Sequence, residues 1–289
     1  MLGSTRLLTI LYMIKLKDLT AGYARRKPVL TKLNTELRTG HIYGLLGANG
    51  SGKTTLLYTL SGCITPLAGE VEVLDAIPSS RSREMLQELI FMPDEVELPA
   101  ISAESFIKDY STFRPRFDRE KFQRILERFN FTHNLKLNKL SLGNRKKFFI
   151  AFALASNAKI VLFDEPTNGL DITSKVTFRQ VLAEEINDER LFIISTHLVS
   201  DIEQLLSSII VIKDKQIVVQ ASMDTVAERL TFGATASISQ PLFSEGLRAV
   251  GKGEGDYSNV DLELLYLALH NPTSQQSIID ILSGKEELC

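Results

Sequence analysis

The segment HIYGLLGANGSGKTTLLYTLSG, residues 41–62, constrains the fold more than any other part of the chain. An apolar run closes on glycine, a glycine-rich loop follows, and apolar residues at helical spacing come next, so strand, loop and helix succeed one another directly. Within the loop, Gly47, Gly52, Lys53 and Thr54 match G-x-x-x-x-G-K-[ST]. Gly47, Gly50 and Gly52 let the backbone turn tightly, which aims successive N–H groups inward at phosphate oxygens. Ala48, Asn49 and Ser51 complete this cradle, and Thr55 follows it into the helix. The helix starting near Lys53 adds the positive end of its dipole. Lys53 supplies a cation to the β- and γ-phosphates of ATP, and the Thr54 hydroxyl is a hard oxygen suited to Mg2+. A glycine turn running into a helix with a chance Lys-Thr is the competing explanation, and the flanking strand and helix weigh against it.

A second apolar run, KIVLFDEP (159–166), ends in adjacent acids, Asp164 and Glu165. Carboxylates at the end of a buried strand are costly unless something binds them, and in a parallel α/β sheet that edge is where ligands sit. Asp164 suits Mg2+ held through water, and Glu165 suits orienting or deprotonating an attacking water. A solvated strand end is the alternative. LFIIST (191–196) is a third run, and a helix through TFRQVLAEEI separates it from the second. Residues 14–46 read as strands and turns, and IIVIK with QIVVQ as a hairpin whose turn, Asp214-Lys215, lacks glycine. From about 80 to 158 the pattern becomes helical: RSREMLQEL, SAESFIKDYS, DREKFQRILERF and RKKFFIAFALAS, broken by Pro93, Pro99 and Pro115. The fold class is α/β, a P-loop NTPase with a mostly parallel sheet flanked by helices, an antiparallel β part at the N-terminus and a helical subdomain. Residues 14–230 form this cassette. Residues 231–289 are an extension with a Gly-rich stretch, GKGEGDYSN, and a helix near 260–271.

Charge and hydropathy narrow the partners. A formal net charge of −2 leaves no global basic field, so nucleic acid is not expected as a partner. No apolar run reaches the roughly 18 to 20 residues needed to span a bilayer, so any membrane link runs through another protein. The opening MLGSTRLLTILYM is short for a signal peptide and reads as a non-native or mis-assigned start over 1–13, with Met13 as the working initiator. Cys63 and Cys289 read as reduced thiols of a cytosolic protein. His41, His133 and His270 have no metal-binding spacing.

LSLGNRKKFFIAFALA (140–155), FDEPTNGLD (163–171) and STH (195–197) follow the loop in order. Together they resemble the nucleotide-binding subunits of ATP-binding cassette (ABC) transporters, from about Ile14 to Ile217. The resemblance implies an ATPase that closes head to tail as a homodimer around two ATP molecules. Ser141 and Gly143 would face the γ-phosphate held by the opposite subunit. Ser141 precedes a helix, so its hydroxyl and the free N–H groups suit an anion, although an ordinary N-cap looks the same. His197 would bond the γ-phosphate or the attacking water, completing a catalytic set with Glu165 and Lys53. Asp171 would contact the partner's phosphate loop. Tyr23 would stack on adenine, with a packed turn tyrosine as the alternative.

Two departures stand out. The family usually has Gln where FMPDE places Asp94. A carboxylate there joins Thr54 and Asp164 as a metal candidate, but it adds negative charge beside Asp164 and Glu165 unless it turns away, so weakened or retuned hydrolysis is expected. Leu142 and Asn144 replace the signature's Gly and Gln, and the run Arg145-Lys146-Lys147 reads as a solvated helix face rather than a phosphate contact. The function implied is a transport motor. ATP closes the dimer, hydrolysis opens it, and a separate transmembrane permease subunit, docked by a cytoplasmic helix on the region around Asp94 through the helical insert, follows the motion. The chain is then cytoplasmic and peripheral on the inner face of the cell membrane through the permease. ISAESFIKDYSTFRPRFDREKF (101–122) resembles ATPases of two-component exporters, which favours export. The alternative is a soluble ABC-type ATPase in a non-transport role such as cluster assembly.

Overall fold

The computed structural model describes residues 12–131, 136–253 and 260–284. His133, Cys289, most of the opening segment and most of the Gly-rich stretch lie outside the described residues. The strands are β1 (Tyr12–Ala21), β2 (Leu30–Arg38), β3 (His41–Leu46), β4 (Ala68–Val73), β5 (Leu89–Met92), β6 (Ile160–Asp164), β7 (Leu191–Ser195), β8 (Ser208–Lys213), β9 (Gln216–Ser222), β10 (Leu230–Ala234), β11 (Pro241–Glu245) and β12 (Arg248–Lys252). The helices are α1 (Lys53–Leu60), α2 (Arg83–Glu88), α3 (Ala103–Tyr110), α4 (Arg119–Arg128), α5 (Leu142–Ala155), α6 (Ile172–Glu185), α7 (Met223–Arg229), α8 (Leu262–His270) and α9 (Gln275–Ser283).

The central sheet has the order β5-β6-β7-β3-β8-β9. Its first five strands are parallel, and β9 returns antiparallel to β8. Successive side chains on a strand face opposite ways, and both faces here are covered, which is why these strands read as unbroken apolar runs. On one face Tyr43, Leu45, Leu162, Ile193 and Ile210 meet α1 (Leu56, Leu57, Leu60) and the antiparallel sheet β2-β1-β4 through Ile14, Leu16 and Leu33. On the other, Val161, Phe163, Phe192, Ile194 and Val211 meet α5, α6 and the C-terminal helices through Phe148, Phe178, Leu262 and Leu265.

The helical insert is held by aromatic packing. Phe148 on α5 lies 5.3 Å from Phe106, 5.5 Å from Phe122 and 5.8 Å from Phe131, ring centre to ring centre. These are edge-on or tilted geometries that favour aromatic pairs. The insert begins later than expected. Leu89 is not the end of a helix: LIFM forms β5, the edge strand of the central sheet, and α2 stops at Glu88. Four apolar residues carry no period that separates a short buried strand from a continuing helix.

The β8–β9 hairpin forms without glycine because Asp214 and Lys215 both take left-handed conformations, φ 49° and 67°. The extension also differs from expectation. Besides α8 it contains the sheet β10-β12-β11 and the helix α9. Leu230, Val250, Leu262 and Ile278 join the same buried cluster as the central sheet, so the tail is part of the main core.

Candidate nucleotide site

The loop between β3 and α1 is shaped by its glycines. Gly52 caps α1 with φ 110°, and a Cβ there would lie 2.5 Å from Leu30 Cδ2. Any side chain would be strained and would strike β2, so the loop's seat on the N-terminal sheet requires glycine. Lys53 Nζ lies beside the loop and donates to the Gly47 carbonyl at 2.8 Å and the Ala48 carbonyl at 3.3 Å. Burial holds its ammonium below the ordinary lysine value, with Glu165 and Asp164 pulling the other way. The Ser51 hydroxyl oxygen is shielded from solvent and has no hydrogen-bond partner, as suits a loop built to hold an acceptor.

The parallel register then delivers the acids. Asp164 ends β6 opposite Ser195 at the end of β7. Its two oxygens accept from Thr54 Oγ1 at 2.7 Å and from Ser195 Oγ. Thr54 and Asp164 thus form a pair of hard oxygen donors at the phosphate loop, a set that fits Mg2+ with water completing its shell. Ser195 was not singled out from sequence; its register with Asp164 is the signal that places it. Glu165 follows in the left-handed region, φ 47°, a conformation costing a non-glycine residue about 1 kcal/mol. That turn swings its carboxylate to His197, whose Nδ1 lies 2.9 Å from Oε1 and whose backbone N–H is 3.4 Å from Oε2. A carboxylate only accepts, so Nδ1 carries the proton and Nε2 is left for other partners.

A cleft of about 410 Å³ is lined by Tyr23, Asn49, Gly50, Lys53, Thr54, Thr55, Asp94, Asp164 and Glu165. A larger concavity of about 1160 Å³ lies along the N-terminal sheet. Its Lys15 and Glu72 satisfy each other at 2.9 Å, and the phosphate-loop residues with Asp164 and Glu165 line the smaller cleft instead.

The comparisons agree. The sequence profile of the ABC transporter family matches residues 30–168. The bacitracin transport ATP-binding protein BcrA of Bacillus licheniformis is 30% identical over 223 residues, covering 75% of this chain and 72% of that protein. The chain belongs to the ABC transporter family of ATP-binding proteins. Another relative of this ABC ATPase is the petrobactin import ATP-binding protein FpuD of Bacillus anthracis, 28% identical over 84% of this chain and 94% of that protein. The fold also matches a dimeric post-hydrolysis structure of the ATP-binding cassette MJ0796 bound to ADP and Pi, with a TM-score of 0.63 and 24% identity over 73% of this chain and 98% of that one.

Of the remaining expected residues of the ABC ATPase, Tyr23 lines the cleft, and Ser141, Gly143 and Asp171 do not. Tyr23, 68% exposed, stands at its rim. Ser141 caps α5, accepting from the Asn144 N–H at 3.3 Å, and is exposed. A Cβ on Gly143 would lie 2.7 Å from the Gly169 carbonyl, so glycine is needed there for the close approach of the following turn. Neither Ser141 nor Gly143 lines the cleft. Asp171 caps α6, accepting from Ser174 N–H at 2.8 Å and Lys147 Nζ at 3.2 Å.

The basic run is not a solvated face. Arg145 Nε donates to the Leu140 carbonyl at 2.9 Å, Lys147 pairs with Asp171, and the Lys146 side chain is completely buried. The Lys146 ammonium lies 2.7 Å from Asp94 Oδ1, so the acid that lines the cleft carries its own counter-ion. Sequence reading missed this because one buried lysine inside a run of three cations has no distinguishing pattern.

Proposed function

We propose that this chain is the ATP-hydrolysing subunit of a two-component transporter, working as a homodimer beneath a separate membrane permease. The observation that carries it is the convergence of Lys53, Thr54, Asp164 and Glu165 on one cleft, with Thr54 bonded to Asp164 and His197 bonded to Glu165. The loop N–H groups and Lys53 bind the phosphates of ATP, and Tyr23 at the rim stacks on the base. Thr54 and Asp164 would hold Mg2+, which would supply positive charge to neutralise the transferring phosphate. Glu165 accepts a hydrogen bond from the attacking water and takes its proton, while His197 fixes the carboxylate. Ser141 is exposed and Gly143 half-buried, and neither lines its own cleft, which suits a role across a dimer interface.

A groove on this chain suits docking of the permease. Arg81, Arg83, Leu86, Gln87, Phe113 and Arg114 line about 590 Å³ between α2 and the turn at Ser111–Phe113. Phe113 in this groove is 68% exposed, apolar surface that a partner helix would cover. Arg114 anchors the rim by donating to the carbonyls of Leu86 (2.6 Å) and Leu89 (2.8 Å). Export as the direction rests on the likeness of residues 101–122 to exporter ATPases.

The test is to identify a multi-span membrane protein encoded beside this chain's gene and to measure co-purification and coupled ATPase with it. The wild type should bind it and gain ATPase activity. Glu165→Gln should bind it and turn over no ATP. Phe113→Asp should keep the basal ATPase of the isolated subunit and lose the stimulation. A wild type that never associates with such a protein would overturn the transport reading in favour of a soluble ATPase.

A further inference from the structure

The Lys146 ammonium sits where four segments meet. It is carried by α5, the helix that Ser141 caps. It donates to Asp94, just past β5, at 2.7 Å and to the backbone carbonyl of Glu165, just past β6, at 2.6 Å. Asn168, from the turn that leads to α6, reaches the same Asp94 oxygen at 3.4 Å. A fully buried ammonium is tolerable only with a counter-charge and hydrogen bonds. Among the described residues Asp94 is the acid paired with it.

The contact to Glu165 has a consequence for catalysis. Glu165 is held in the left-handed region from both sides: its N–H donates to the Ser195 carbonyl at 3.0 Å, and its carbonyl accepts from Lys146. The first bond ties it to β7, the second to α5. Together they fix the turn that presents its carboxylate to His197.

We infer that Lys146 is a positioning residue for Glu165 and that Asp94 is its counter-ion, so that the two act as one unit. This rests on the reading of Glu165 as the group that handles the attacking water. It also changes the meaning of Asp94. The aspartate does not handicap hydrolysis; it keeps the buried lysine in place, and restoring glutamine at that position alone damages the site. Neutralising both residues removes the uncompensated charge and leaves a hydrogen-bonding pair at the same place.

The experiment is steady-state ATPase of the wild type, Asp94→Gln, Lys146→Gln and the double variant, with magnesium-free binding of a fluorescent ATP analogue measured alongside. A displaced carboxylate costs rate rather than affinity, so each single variant should lose about 10- to 100-fold in kcat with little change in KM or analogue binding. The double variant should recover most of that loss. A purely structural role would lower the fraction of binding-competent protein instead and leave kcat per bound site unchanged. If Lys146→Gln does not fold, Asp94→Gln, a change at a partly exposed position, carries the test with Lys146→Met. Wild-type or faster kcat in Asp94→Gln overturns the inference. So does a double variant whose loss is the product of the two single losses. A wild type that binds the analogue but turns over no ATP overturns the functional reading, and the inference with it.

Discussion

At the residue scale, the site is a set of side chains whose partners leave them little freedom. Asp171 shows how far this goes outside the cleft. The Ser174 N–H hydrogen bond, followed by the Ser174 and Lys147 side chains, holds its carboxyl at about 2, below the ordinary carboxylate range. A carboxyl with a depressed folded pKa adds stability that is fully present above its unfolded value, about 3.9, and is lost as pH falls towards the folded one. Asp171→Asn keeps a competent cap but removes the charge. The variant should therefore melt below the wild type at neutral pH, and the gap should close as pH falls from about 4 to about 2. A gap that stays constant through that range would show that the charge contributes nothing. The difference between Asp171 and Lys146 also shows what sequence can disclose. An acid just ahead of a helix signals a cap, and Lys53, Thr54, Asp164 and Glu165 lie in motifs whose chemistry explains their spacing. Lys146 lies inside a run of three cations, and its burial depends on residues 52 positions before it and 19 after it.

At the element scale, the helices of the insert were legible because their apolar residues recur at helical spacing between prolines. β5 was not, being four residues long, and neither was the β10-β12-β11 sheet, whose short strands carry few buried positions. Phe148 ties the insert together and also faces the central sheet's cluster. Phe148→Ala should cost about 3–5 kcal/mol of unfolding free energy, from lost burial plus an unfilled cavity. Urea unfolding measures it. A loss below about 1 kcal/mol would mean that the surrounding aromatics collapse into the space and that the insert does not depend on this ring.

At the scale of the whole molecule, the cassette and its extension share one core. Helix α8 packs against the turn at Val199–Asp201, two residues past His197, so the tail supports the backbone that follows His197. Each cleft nevertheless lacks Ser141 and Gly143, which the chain displays elsewhere. In the proposed homodimer a second copy supplies them. Sedimentation of Glu165→Gln with MgATP tests this most directly, because the variant binds nucleotide without consuming it. The expected result is a dimer of two chains retaining two ATP molecules, and it should dissociate when Ser141→Ala is added to the same chain. A species that stays monomeric with its cleft saturated by ATP would contradict the claim.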